Sequence, residues 1–221
     1  MRVTDKRHEW RAMDVRILIT AAAAALATSG AGAQSRDERI EPSPDQLRTL
    51  NALTPERVAS VVTISDDDLE PTVVLTTAKA WSSKGKFTDP VRSDNFLRAF
   101  VNKKTGTKTF QLYEQVTYSF EYRNFRRVVF ATSEGPQSAP VLELSHEVIT
   151  CAGGLCVYRD TLGFDLPENV VREIAAGYQP GSSPLWRFRF KAQNGFDWED
   201  RIAPAEAAGL LLALNKWKGR P

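Results

Sequence analysis

The chain has 221 residues, of which 29 are lysine or arginine and 27 are aspartate or glutamate. Removing residues 1–33, a predicted signal peptide, leaves 24 residues of each sign, so the remainder is formally neutral. A neutral chain gives no support to nucleic-acid binding. Its length is compatible with one domain that has a sizeable core.

The amino-terminal segment has the organisation of a secretory signal. Ile17–Ala27 is apolar apart from one threonine, Arg16 precedes it, and small residues follow it as far as Ala33. This order of charge, apolar stretch and small residues is that of a signal peptide. The stretch is shorter than the roughly 20 apolar residues that span a bilayer. We therefore predict cleavage after Ala33.

The predicted mature chain begins at Gln34 and is extracytoplasmic, either periplasmic or secreted. Met13 is an alternative start, in which case residues 1–12 are an upstream-start artefact. Residues 34–60 are predicted to be a leader followed by short helices, and residues 61–221 to form a single domain. The mature chain has no further long apolar run, so we expect no transmembrane segment.

Two short helices are predicted near the start of the mature chain. Ser43-Pro44-Asp45-Gln46 has the spacing of a capping box with proline at the first helical position. Thr54-Pro55-Glu56 begins the second helix in the same manner. The acidic run 66–68 lacks the alternating ligands and central glycine of a calcium loop, so a solvated turn is favoured.

Beyond Pro71 the periodicity becomes that of strands and hairpins. The predicted strands are 72–81, 95–102, 107–122, 127–132, 141–151 and 156–162, with a hairpin over 185–202 and a loop over 133–140. A short helix is predicted to open at 165–169 and end at Gly177 with a left-handed cap, and another to span Pro204–Trp217 with a cap at Gly219. The predicted class is α+β, an antiparallel sheet of about seven strands with the carboxy-terminal helix packed on one face.

The only two cysteines flank a glycine pair, and the spacing predicts a disulfide. Gly153-Gly154 favours a two-residue hairpin turn, which places Cys151 opposite Cys156 at a non-hydrogen-bonded pair. Facing Cα atoms there are about 4.5 Å apart, within reach of a disulfide. A zinc site needs about four ligands, and a thioredoxin-like pair needs two intervening residues, so neither fits as well. A disulfide indicates an oxidising compartment.

The hairpin over 185–202 has a register that its cross-strand pairs select. A three-residue loop with Gly195 in the left-handed region sets Phe190 against Trp198, Trp186 against Ile202, Lys191 against Asp197 and Arg189 against Glu199.

Two ionisable residues are candidates for chemistry. Glu114 lies among apolar positions of a long strand, and Arg98 across the hairpin is its proposed partner. His146 alternates with apolar residues, so it is predicted to point inward and to have a backbone partner. Nucleophilic catalysis normally pairs a serine or cysteine with a histidine base, and no such motif is present. We therefore assign no catalytic residue, metal or cofactor, although a hydrolase using Glu114 or His146 is a third hypothesis.

The leading hypothesis is a non-enzymatic binding domain that contacts a macromolecule of the cell envelope. Arg123, Arg126 and Arg127 are its proposed surface for an anionic partner. The alternative is a carrier of a small apolar ligand in a cavity between sheet and helix. The predicted lining residues of that cavity are Phe110, Leu112, Glu114, Tyr118, Phe120 and His146.

Overall fold

A computed structural model of the chain describes residues 38–39, 43–80, 92–182 and 184–217. The predicted signal peptide, Trp81 and Gly219 lie outside these residues. Four helices are described: α1 (Pro44–Asn51), α2 (Pro55–Val61), α3 (Glu168–Ala176) and α4 (Pro204–Lys216). The strands are β1 (Glu38–Arg39), β2 (Thr63–Ser65), β3 (Thr72–Thr76), β4 (Arg92–Asn102), β5 (Lys108–Phe120), β6 (Phe125–Phe130), β7 (Gln137–Pro140), β8 (Leu142–Ala152), β9 (Leu155–Leu166), β10 (Trp186–Ala192) and β11 (Trp198–Ile202).

The α+β class is confirmed, but the described strands form two sheets where we predicted one. The larger sheet is antiparallel, with the order β2-β3-β4-β5-β9-β8. The smaller has the order β1-β11-β10-β6-β7 and is antiparallel except for β1, which pairs with β11 in parallel. β7 falls in the predicted loop 133–140, because its polar sequence lacks the apolar alternation that marks a strand.

The core lies between the inner faces of the two sheets and under α3 and α4. Aromatic rings of the two sheets meet there, for example Phe130 and Phe164 with centroids 5.7 Å apart. A hydrogen bond from the Asn95 side chain in β4 to the carbonyl of Arg201 in β11 also joins the sheets, at 3.1 Å. Because side chains of opposite sheets interdigitate, these contacts depend on pairings distant in sequence.

The amino-terminal helices begin as predicted, and α2 packs onto α4. Ser43 and Gln46 form the capping box, and the Thr54 hydroxyl accepts a hydrogen bond from the Arg57 amide. A Cβ on Gly209 would lie 2.4 Å from Cβ of Val58, so only glycine allows α2 and α4 to approach this closely. Among the helices in the described part of the chain, none is long and apolar enough to cross a membrane.

The structure corrects the predicted end of one helix and the predicted end of one strand. Gly177 ends α3 with φ of −73°, so the predicted left-handed cap is wrong. β9 continues to Leu166, four residues beyond its predicted end, and includes Gly163.

Candidate interaction surface

The cysteine pair closes the tip of the β8–β9 hairpin. Cys151 and Cys156 face each other in the ladder, with their Cα atoms 4.1 Å apart, and form a disulfide. Gly153 and Gly154 both have positive φ angles, as the predicted two-residue turn requires. The disulfide therefore fixes the register at the end of the hairpin farthest from its connections to the rest of the chain.

The register of β8 changes twice below this tip. Bulges lie between Glu143 and Ser145 and between Val148 and Thr150, so Leu144 and Ile149 are extra residues without a single partner in β9. Each bulge shifts the alternation of the strand by one position. The predicted alternation of Leu142, Leu144 and His146 on one face is therefore wrong.

His146 does point toward the inner face, but its partner is a carboxylate and not the predicted backbone group. Its Nδ1 lies 2.5 Å from Oδ1 of Asp160, which is fully buried. The Tyr118 hydroxyl donates a hydrogen bond of 2.7 Å to Oδ2 of the same carboxylate. The imidazole ring is stacked on Tyr158, with centroids 5.6 Å apart, and its side chain is 29% exposed. This network attaches β8 to the core of the larger sheet.

β8 is the edge strand of the larger sheet, with no strand on its other side among the described residues. It has 11 residues and contains no lysine, arginine or proline. The other three edges in the described sheets are short: β1 has two residues, β2 has three and β7 has four. Natural proteins usually shorten or charge their edge strands to prevent pairing with other chains. The β8 edge is not shortened, and its protection is limited to two glutamates and two bulges, with no lysine or proline.

Exposed apolar side chains concentrate on this hairpin and on the end of β5 beside it. Seven of the eleven large apolar side chains that are exposed in the described residues lie here, so the concentration is not a general property of the surface. We call these seven residues the hairpin surface. They are Phe120, Tyr122, Leu142, Leu144, Val148, Ile149 and Leu155.

Phe120 shows how the chain turns a ring outward. Its φ is +85°, a left-handed conformation that a bulky residue rarely adopts. It shares the parity of Tyr118 along β5, yet Tyr118 is fully buried and Phe120 is 67% exposed. Backbone strain at a non-glycine residue persists only where the surroundings impose it, and such positions often have a function.

β8 carries acidic side chains beside the hairpin surface. Glu143 and Glu147 are the carboxylates of β8, and Arg159 of β9 lies 3.5 Å from Glu147. The Tyr122 hydroxyl donates to Oε2 of Glu143 at 2.9 Å. Burial and this carboxylate raise the pKa of Tyr122 to about 12, so the ring stays neutral and donates its proton.

The three predicted arginines do not form one exposed surface. Arg123 is only 3% exposed, and its guanidinium lies 4.7 Å from the centroid of the Tyr118 ring. Arg126 and Arg127 remain exposed, and Arg126 is the extra residue of a bulge in β6. An anionic partner at these two arginines remains a prediction, and Arg123 is not available to it.

Glu114 is buried, but its predicted partner is wrong. Arg98 pairs with Gln111 in the ladder and lies on the outer face, whereas Glu114 pairs with Asn95 and points inward. Burial raises the pKa of Glu114 well above its usual value, and the Asp200 carboxylate raises it further, while the Trp198 indole opposes the shift. Neither carboxyl oxygen has a hydrogen-bond partner of normal geometry. Its position between the sheets therefore favours the protonated form of Glu114.

Three other residues of the predicted cavity, Phe110, Leu112 and Tyr118, lie in the packed core. Tyr118 contacts Phe125 edge to face at 6.2 Å. The structure thus brings together only part of the predicted set, because Phe120 is turned out of it. The carrier and hydrolase hypotheses remain predictions.

Neither the edge position of β8 nor six of the seven residues of the hairpin surface were predicted from the sequence. The absence of lysine and proline from 142–152 was a visible signal, but strand order decides whether such a segment is an edge. Comparisons of the chain with protein-family models, curated proteins and solved structures find no match. The function therefore has to be argued from this geometry.

Proposed function

We propose that this protein is an exported, non-enzymatic domain that binds another protein by strand addition at the β8 edge. A segment of the partner adds alongside β8 and covers the hairpin surface. The observation that carries this proposal is the long, apolar edge strand that contains no lysine, arginine or proline. In strand addition the backbone hydrogen bonds supply affinity, and alternate side chains supply specificity.

The charge of the edge favours a basic segment. β8 carries two glutamates and no lysine or arginine, and Glu143 also accepts a hydrogen bond from Tyr122. A partner strand that alternates apolar residues with lysine or arginine would complement both the exposed side chains and these carboxylates. This is the chemistry that we assign to the partner.

The location in the proposal is supported by two features. One is the signal-like order of the amino-terminal residues. The other is the disulfide at the tip of the same hairpin, since disulfides persist outside the reducing cytosol. Mass spectrometry of the protein from fractionated cells should find an oxidised chain beginning at Gln34 outside the cytoplasm. A full-length chain in the cytoplasm with free thiols would contradict this part of the proposal.

The binding itself is tested with a displayed library of random peptides of about 18 residues, long enough to form a strand with flanks. Peptides selected on the wild-type protein should alternate apolar and basic residues. Binding should protect the amides of β8 from hydrogen exchange, because the added strand covers them.

A matched pair of variants makes the test specific to this edge. Ile149 on β8 and Ile64 on β2 are both 44% exposed, and they lie at opposite edges of the same sheet. We expect Ile149→Lys to weaken peptide binding at least about tenfold, because edge lysines oppose strand addition. Ile64→Lys should bind like the wild type. Equal binding by both variants would overturn the proposal, and Val148→Lys checks the β8 result at a second position.

A further inference from the structure

A groove of about 610 Å³ crosses the outer face of the larger sheet. It extends from the loop between β2 and β3, across β3, β4 and β5, to the beginning of β8. Leu142 and Leu144 of the hairpin surface form its far end. The groove is therefore continuous with the surface to which we assign partner binding.

The floor of the groove is apolar and held in place. Val74, Phe100 and Tyr113 line it. The Tyr113 ring is stacked on Phe96, with centroids 5.3 Å apart, and the Arg98 guanidinium lies 4.0 Å from the Tyr113 centroid. The Phe96 ring and the Arg98 guanidinium both contact the Tyr113 ring and fix its position, so the floor is formed before any ligand arrives.

A polar side chain with a fixed orientation continues this floor. Gln111 accepts a hydrogen bond from the Tyr113 hydroxyl at 2.8 Å and donates one to Asp165 at 2.7 Å. Both ends of the amide are thus engaged, which sets its donor and acceptor sides. The groove offers a rigid surface on which an extended chain can lie.

The near end of the groove is acidic. Asp67 and Glu70 line it, and Asp66 lies beside them. Lys103 forms an ion pair with Asp66 at 2.9 Å, and its ammonium also donates to the carbonyl of Asp67. The carboxylates of Asp67 and Glu70 give this end of the groove an acidic lining, which favours a cationic group.

We infer that the groove binds the part of the partner segment that continues past β8, and that Asp67 and Glu70 select a lysine or arginine in it. The segment leaves the β8 edge at Leu142 and Leu144, crosses the apolar floor and places its basic side chain between the two carboxylates. Four strand spacings separate β8 from β3, which is roughly 19 Å or about six extended residues. This inference rests on the proposed function, because the same segment occupies both places.

The experiment uses the selected peptides and two double variants of the protein. Asp67→Asn with Glu70→Gln removes the acidic end while preserving shape. Glu56→Gln with Glu134→Gln is the control, since both residues are exposed and neither lines the groove. We expect the groove variant to bind the selected peptides about tenfold more weakly than the control does, because a hydrogen-bonded charge contact is lost.

The peptides supply the second half of a thermodynamic cycle. Replacing the basic residue that lies about six positions beyond the strand-forming part with glutamine should weaken binding to the wild type. The same replacement should have little effect on the groove variant, because the partner carboxylates are already absent. An unchanged affinity of the groove variant, or equal losses in both proteins, would overturn the inference.

The outcomes separate this inference from the proposal on which it rests. If Ile149→Lys abolishes binding while the groove variant binds normally, strand addition stands and selection by the groove is wrong. If the groove variant loses binding while Ile149→Lys does not, the groove binds peptides by itself and strand addition at β8 is wrong. A library that yields no binding peptide contradicts both.

Discussion

The hairpins β8–β9 and β10–β11 are built alike but end in different surroundings. Both are antiparallel, and both turn on glycines with positive φ. β10 lies between two strands of the smaller sheet, and its inner rings Phe188 and Phe190 are buried. β8 lies at an edge, and its apolar side chains face solvent.

Charged side chains on the outer face of β10–β11 form ion pairs with one another across the two strands. Arg189 lies 2.5 Å from Glu199, and Lys191 forms an ion pair with Asp197. The β8–β9 hairpin is held instead by a disulfide and by one histidine, which is hydrogen-bonded to a buried carboxylate. The β10–β11 hairpin, which is covered within the fold, therefore pairs its charged side chains and buries its aromatic rings. The hairpin that we propose for binding is held rigid while its apolar side chains remain uncovered.

The largest expected contrast is between Phe190 of β10 and Phe120, which lies at the end of β5 beside the β8–β9 hairpin. Phe190→Ala should lower the free energy of unfolding by about 3–5 kcal/mol, because a fully buried ring leaves a cavity. Phe120→Ala should change it by less than about 0.5 kcal/mol, because that ring is exposed, but should weaken peptide binding. Urea denaturation measures both changes in the free energy of unfolding. A loss at Phe120 as large as that at Phe190 would mean that its ring stabilises the fold.

The inner face of β10–β11 also leads us to expect that the stability of the protein depends on pH. Asp200 of β11 acts on Glu114, whose pKa burial raises well above 4.5. The folded protein therefore keeps a proton that the unfolded chain releases, and stability falls as pH rises from about 4.5 through the raised pKa. Glu206 acts in the same direction, because burial raises its pKa to about 8.

Glu114→Gln should reduce this decline, since glutamine has no proton to lose. Denaturation curves at a series of pH values from about 5 to 9 should show the variant gaining stability relative to the wild type as the pH rises. Glu206→Gln provides the comparison for the second buried carboxyl. The decline in stability that Glu206 causes should end near pH 8. Parallel pH profiles for wild type and Glu114→Gln would contradict the account of Glu114.

The registers of both hairpins were predictable because short turns specify them locally. The pairs Cys151–Cys156, Phe190–Trp198 and Arg189–Glu199 are all observed. Turn glycines and complementary side chains lie within a few residues of one another in these segments. Counting outward from the turn would also set Ile149 opposite Tyr158, but a bulge makes Val148 the partner instead.

The arrangement of the hairpins was not predictable in the same way. Whether β8 is an edge depends on strand order, and strand order is decided by contacts between distant segments. Glu114 was correctly placed on an apolar face, yet the group opposite it, Asp200, belongs to the other sheet. The alternation along β5 predicted that Phe120 is buried. It did not indicate that Phe120 has a positive φ, which ends the buried face of the strand. The interaction surface thus depends on long-range structure.

Within the β8–β9 hairpin, two cross-strand side-chain pairs, His146–Asp160 and Glu147–Arg159, should differ in their contribution to stability. His146→Ala leaves the buried carboxylate of Asp160 with the Tyr118 hydroxyl and without its imidazole, at a cost of about 1–3 kcal/mol. Glu147→Ala removes an exposed pair with Arg159 and should cost less than about 0.5 kcal/mol. Chemical denaturation at one pH compares them. Equal costs would mean that the histidine does not attach β8 to the core.

The most local effect is expected from loss of the disulfide. Because the bridge closes a loop of only six residues, the entropy model limits its contribution to about 2 kcal/mol. Cys151→Ser with Cys156→Ser should therefore fold, with faster amide exchange confined to the tip of β8–β9. β10–β11 keeps its register through packing and ion pairs, so its amides serve as the internal control. If exchange accelerated equally in both hairpins, the disulfide would stabilise the whole domain and would not be a local device for holding an uncovered hairpin rigid.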